Sequence, residues 1–92
     1  MTPAKGDAAL LEKLFLAGGA TRLVVAAGAS ALVVSSGDEN GVQRERFRLV
    51  AIPDHRYKVE FADGGRRKNG GVTGALEKVV AELFRAHAAR MT

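Results

Sequence analysis

The sequence contains no cysteine and no tryptophan, only two prolines, and 5% aromatic residues. The missing cysteine excludes disulfide scaffolds, cysteine nucleophiles and thiolate metal sites. Its 92 residues suffice for one small domain. Because hydrophobic residues make up 47% and charged residues 26%, close to the averages of globular proteins, we expect a folded chain.

Long apolar runs are also missing. No run reaches the ~18 residues that a membrane-spanning helix needs. The longest stretch without a charge, Leu23 to Gly37, is interrupted by glycine and serine. Asp7, Glu12 and Lys13 break the apolar segment near the N-terminus, so no secretory signal is expected. The sequence therefore predicts a cytoplasmic chain without a membrane span.

Motifs of common catalytic and metal sites are incomplete or missing. The glycine spacing from Gly65 onward is that of a phosphate-binding P-loop, but Gly71 and Val72 stand where lysine and then serine or threonine are required. The two histidines, His55 and His87, have no carboxylates in a spacing typical of a metal site. The sequence thus predicts a non-enzymatic protein with no metal and no cofactor.

Apolar periodicity predicts two helices with strands between them. The first helix covers residues 8–17 after Asp7 as N-cap, and the second starts at Thr73 or Gly74 and runs to about Ala89. The predicted strands are Arg22–Ala27, Ser30–Ser36, Val42–Ile52 and Arg56–Ala62. Residues 63–71 are expected to form a glycine-rich basic loop, and residues 1–6 a flexible N-terminus. The predicted fold class is α+β: a helix, a four-stranded antiparallel meander and a C-terminal helix, in a single domain of residues 7–90.

Two turns set the expected strand pairing. Gly28–Ala29 is typical of a two-residue hairpin turn with glycine first. A three-residue loop at Pro53–His55 pairs Phe47 with Phe61, and it also places Leu49 opposite Val59 and Ala51 opposite Tyr57. That register places all three apolar pairs on one face, which is expected to be the core.

Positive charge is concentrated in the middle of the chain. Residues 42–68 contain eight of the 14 cationic side chains and four carboxylates, so this segment alone matches the net charge of +4. Strand alternation predicts that Arg44, Arg46 and Arg48 lie in one row on the sheet face away from the core. The predicted binding residues are Arg44, Arg46, Arg48, Arg56, Lys58, Arg66, Arg67 and Lys68.

This basic strip indicates an anionic partner. Guanidinium groups fit phosphate oxygens, so the sequence predicts a small module that binds the nucleic-acid backbone through a sheet face and a loop. Phe47, Tyr57 and Phe61 fall on the core face, which argues against base stacking. The alternative is a protein-interaction module, such as a small inhibitor, adaptor or assembly subunit, that docks on an acidic protein partner.

The first two strands are apolar on both faces, which predicts a homodimer. The expected interface residues are Val24, Val25 and Val33. The first strand is a sheet edge with one charge, Arg22, and is poorly protected against pairing with another chain. The sequence leaves open whether both helices share one face, exposing an apolar patch, or whether the first helix crosses to the other face.

Overall fold

The computed structural model describes all 92 residues. Its elements are α1 (Asp7–Ala17), β1 (Val24–Ala27), β2 (Ala31–Gly37), β3 (Gln43–Ile52), β4 (Arg56–Asp63), β5 (Arg66–Gly74), α2 (Leu76–Ala86) and a short 3-10 helix (Ala88–Met91). The strands form one antiparallel sheet in the order β1-β2-β3-β4-β5. The α+β class is confirmed, but the sheet has five strands where four were expected.

The fifth strand replaces the basic loop that was expected over residues 63–71. Asp63 pairs with Arg66 across Gly64 and Gly65, whose φ angles are 58° and 84°. Two consecutive residues with positive φ make the turn that best matches the twist of a β-hairpin, and glycine adopts it without a Cβ clash. The glycine pair therefore folds the chain back, and β5 becomes an edge strand of the sheet.

The register between β3 and β4 is the predicted one. Phe47 lies opposite Phe61 and Arg48 opposite Glu60, with a three-residue loop between Ile52 and Arg56. Within the loop, Asp54 and His55 both have a positive φ, of 68° and 56°.

The β1–β2 turn lies one residue later than predicted. The Gly28 N–H donates to the Ala31 carbonyl at 2.8 Å, so Ala29 and Ser30 form the centre of the turn. Val25 consequently pairs with Val34. A register shift of two residues keeps every side chain on its expected face, because strand side chains alternate with a period of two.

Both helices pack on the same face of the sheet, which answers the alternative that the sequence left open. α1 lies against β1, and α2 lies against β4 and β5. Leu11 and Phe15 of α1 and Leu83 of α2 belong to one buried core with Phe47 and Val59 of the sheet. The opposite face carries no helix, and we call it the open face. Neither helix has the length and apolar character needed to cross a membrane.

The start of α1 is fastened to the sheet by a buried carboxylate. Gly6 occupies the N-cap position that was expected for Asp7, and Asp7 is the first helical residue. The Asp7 carboxylate accepts a hydrogen bond from the Tyr57 hydroxyl at 2.6 Å and lies 2.8 Å from Nε2 of His55. Burial, and secondly the hydrogen bond to Asp7, raises the pKa of Tyr57 to about 12.

Candidate nucleic-acid interface

A bulge in β3 divides the predicted row of arginines between the two sides of the sheet. Phe47 pairs with Val34, but Glu45 pairs with the next residue of β2, Ser35, so Arg46 is an extra residue in β3. One extra residue reverses the alternation beyond it. Arg44 is therefore paired with the buried Ser36, on the helix-covered side, instead of following Arg48 on the open face. The structure thus corrects the expectation that these arginines share a face.

The eight predicted binding residues consequently form two groups of four. Arg48, Arg56, Lys58 and Arg67 lie on the open face, by their pairing with Glu60, Ile52, Val50 and Ala62. Arg44, Arg46, Arg66 and Lys68 lie on the helix-covered side, by their contacts or pairing with Ser36, Asp63 and Phe61. Arg66, Arg67 and Lys68 were expected in a loop and are part of β5.

Carboxylates neutralise much of the charge on the open face. Glu45 accepts hydrogen bonds from Arg48 Nε at 3.2 Å and from Arg67 Nε at 3.3 Å. The Arg48 hydrogen bond, more than the Arg67 one, holds the pKa of Glu45 below its usual range. Glu60 lies opposite Arg48 in the sheet. This group therefore has few cationic groups left for a ligand.

The helix-covered group is extended by a residue that the sequence pattern did not single out. The guanidinium carbon of Arg90, from the 3-10 helix, lies 4.0 Å from the centre of the Phe61 ring. Lys68 is the β5 partner of the same Phe61. We call the set Arg44, Arg46, Arg66, Lys68 and Arg90 the basic end. Strand alternation does not place Arg90, because this residue follows the last predicted helix.

Two carboxylates accompany the five cations of the basic end. Asp38 binds Nε of Arg44 at 3.1 Å, and this hydrogen bond is the largest cause that lowers the pKa of Asp38. Asp63 is the strand partner of Arg66. Arg46 donates to the Ser36 hydroxyl at 3.2 Å, a neutral partner that leaves its charge uncompensated. Positive charge therefore exceeds negative charge here by more than it does on the open face.

The sheet opens at this end into a shallow cleft. β3 and β4 are paired only as far as Phe47 and Phe61, and the start of β3 diverges from the β4–β5 turn. The resulting cleft has a volume of about 630 Å³. Arg44, Arg66 and Arg67 line it together with Glu45 and Asp63. Its width and exposure suit contact with a charged surface more than enclosure of a small molecule.

The predicted dimer residues lie around the β1 edge. Val24 is 49% exposed, and Val33 is half-buried on the same face by its pairing with Ala26. Val25 points to the other side and packs partly against the core. The three residues thus flank one edge strand from both sides.

Comparisons with protein-family models, with curated proteins and with solved structures find no match to this chain.

Proposed function

We propose that this chain binds nucleic acid through the phosphate backbone, using the basic end as its contact surface. The observation that carries the proposal is the gathering of five cationic side chains from three separate segments at one end of the sheet, with two carboxylates among them. Arginine is well suited to this role, because its planar fork of N–H donors matches phosphate oxygens.

The basic end favours contact with the backbone over contact with bases. The aromatic rings nearest to it, Phe47 and Phe61, are buried in the core and are 0% and 3% exposed. Binding of unpaired bases normally requires exposed aromatic rings for stacking. A duplex, which displays regular rows of phosphates, is therefore the preferred form of nucleic acid in this proposal.

Charge placement offers a matched pair of variants for the test. Arg66→Glu/Lys68→Glu reverses two charges in the basic end, and Arg56→Glu/Lys58→Glu reverses two charges on the open face. All four side chains are exposed and both variants change the net charge equally. We expect the first variant to lose duplex binding and the second to keep most of it, because phosphate contacts act over short range in salt.

Binding is measured by fluorescence anisotropy with a 20-base-pair DNA duplex and an RNA duplex, with circular dichroism to verify folding. With four or five phosphate contacts, affinity should fall by about 100- to 500-fold between 50 and 200 mM salt. Equal losses in both variants would show that net charge alone drives binding. Absence of binding to either duplex at 50 mM salt would overturn the proposal.

The alternative partner is an acidic protein, which would bind to the same cationic side chains of the basic end. Polyglutamate serves as a competitor in the same assay and separates the two readings. Competition at much lower concentrations of polyglutamate than of duplex would favour the protein partner. We also propose a cytoplasmic location and a homodimer, which would carry two basic ends.

A further inference from the structure

We infer that two copies of this chain associate through the edge formed by α1 and β1, around a two-fold axis that passes α1 between Glu12 and Lys13. The interface lies at the sheet edge opposite β5 and is independent of phosphate binding. A groove of about 460 Å³ is present at that edge. The groove is lined by Ala8, Ala9, Glu12, Lys13, Leu16 and Val25.

The groove is an exposed apolar surface beside an unpaired strand. Leu16 is 52% exposed and Val24, on the other side of the same edge, is 49% exposed. β1 has a neighbouring strand on one side only. Its Val25 N–H donates instead to Oε2 of Glu12, a long hydrogen bond of 3.3 Å from a half-buried side chain. A partner strand could replace this contact with a main-chain hydrogen bond.

The pattern on α1 is self-complementary, which identifies the occupant as a second copy. Ala9 and Leu16 are seven residues apart and lie on one side of the helix, with Glu12 and Lys13 between them. If two such helices run antiparallel about the proposed axis, Ala9 of one lies opposite Leu16 of its partner. Glu12 then lies opposite Lys13 of the partner subunit. A small residue thus meets a large one, and an acid meets a base, twice in each dimer.

The same two-fold axis brings the two β1 strands together in antiparallel orientation. Glu12 would then leave the Val25 N–H to the partner strand and turn to the partner's Lys13. Because β1 has four residues and α1 eleven, the interface is small. We expect a weak dimer with a dissociation constant in the micromolar range.

A charge-exchange cycle tests the arrangement without nucleic acid. Sedimentation equilibrium over about 5–500 µM should show the wild type moving from 9.7 kDa toward twice that mass. Lys13→Glu places like charges opposite each other twice, and should weaken the dimer by about tenfold. The exchanged variant Glu12→Lys/Lys13→Glu restores opposite charges and should bring the constant back to within about threefold of wild type.

If Glu12 and Lys13 acted only within their own subunit, exchanging the two charges would not restore the dissociation constant of the dimer. Leu16→Ala, which removes the large partner of Ala9, should also weaken the dimer while circular dichroism stays native. A wild type that remains at 9.7 kDa at the highest concentration would overturn the inference. So would a dimer that Lys13→Glu leaves unchanged, or one that the charge exchange fails to restore.

Discussion

The two edges of the sheet are protected against pairing in different ways. β5 is long, charged and irregular: it carries Arg66, Arg67 and Lys68, and Gly70 and Gly71 interrupt its pairing with β4. β1 is short and apolar, and a single carboxylate from α1 covers one of its N–H groups. Charge and bulges discourage strand addition permanently, whereas a side-chain cap can be displaced. The β5 edge is therefore protected by its own charge and irregular backbone, whereas the β1 edge is protected by a side chain that can move away.

The largest expected effect comes from removing the anchor of the β5 edge. Phe61 is 3% exposed and is the β4 partner of Lys68 in β5, and its ring lies 4.9 Å, centre to centre, from the His87 ring. Phe61→Ala should lower the free energy of unfolding by about 3–5 kcal/mol, because it leaves a cavity in the core. The control is the exposed Val24 of the β1 edge. Val24→Thr should change the free energy of unfolding by less than about 0.5 kcal/mol.

Urea denaturation at low micromolar concentration measures both variants. Hydrogen exchange should also become faster in β5 of the Phe61 variant than in β1. Equal stability losses at the two edges would remove the asymmetry described above.

A second effect concerns the tie between the two halves of the sheet. Tyr57 of β4 holds α1, and through it the β1 side, by its hydrogen bond to Asp7. Its pKa is raised from 10.0 to about 12, so the folded state favours the protonated hydroxyl. The protonated hydroxyl therefore contributes about 3 kcal/mol to the free energy of unfolding below pH 10. This contribution is lost as the pH rises through 12.

The matched variant for this effect is Tyr57→Phe, which has no titrating hydroxyl. Denaturation between pH 9 and 12 should show a steeper loss of stability in the wild type than in the variant. Parallel curves would mean that the Tyr57–Asp7 contact does not contribute to the alkaline transition.

A third and smaller effect concerns Gly70, where the pairing of β5 with β4 is interrupted. A Cβ atom at Gly70 would lie 2.7 Å from the Phe61 ring, and the φ of this glycine is not in the positive range. Gly70→Ala should therefore cost about 1–3 kcal/mol through steric overlap alone. Thermal unfolding of Gly70→Ala, of Phe61→Leu and of the double variant provides the check. If overlap is the cause, Gly70→Ala should cost less in the Phe61→Leu background than in the wild type.

The sequence predicted the strand pairing correctly where apolar residues alternate with polar ones. In β3 from Phe47 and in β4 as far as Phe61, every second side chain is apolar and buried or half-buried, and here the predicted register was confirmed in full. Before Phe47 the strand contains only polar residues, so no burial signal fixes which side each one occupies. The bulge at Arg46 was for this reason invisible, and three arginines were expected in one row.

The fifth strand was not predicted from the sequence for a different reason. The residues of β5 from Arg66 to Gly71 are basic or small and have low strand propensity. Their strand conformation follows from the preceding glycine turn and from pairing with β4. The sequence does contain a hairpin signal here, because the glycine pair Gly64–Gly65 follows directly on the predicted strand. The basic end itself required the three-dimensional structure, because Arg90 is distant in sequence from the other four residues.

The bulge in β3 also has a consequence for how such a surface can change by mutation. Deleting Arg46 would restore regular alternation and leave Glu45 opposite Ser35 and Arg44 opposite Ser36, because Arg46 is the one residue here without a partner in β2. A single codon lost at this position would thus remove one guanidinium and leave every remaining residue of the strand on its present side. A codon lost from the regular part of β3 would instead transfer all the residues beyond it to the other face. In this strand, the bulge is the position where the length of the chain can change without moving its neighbours.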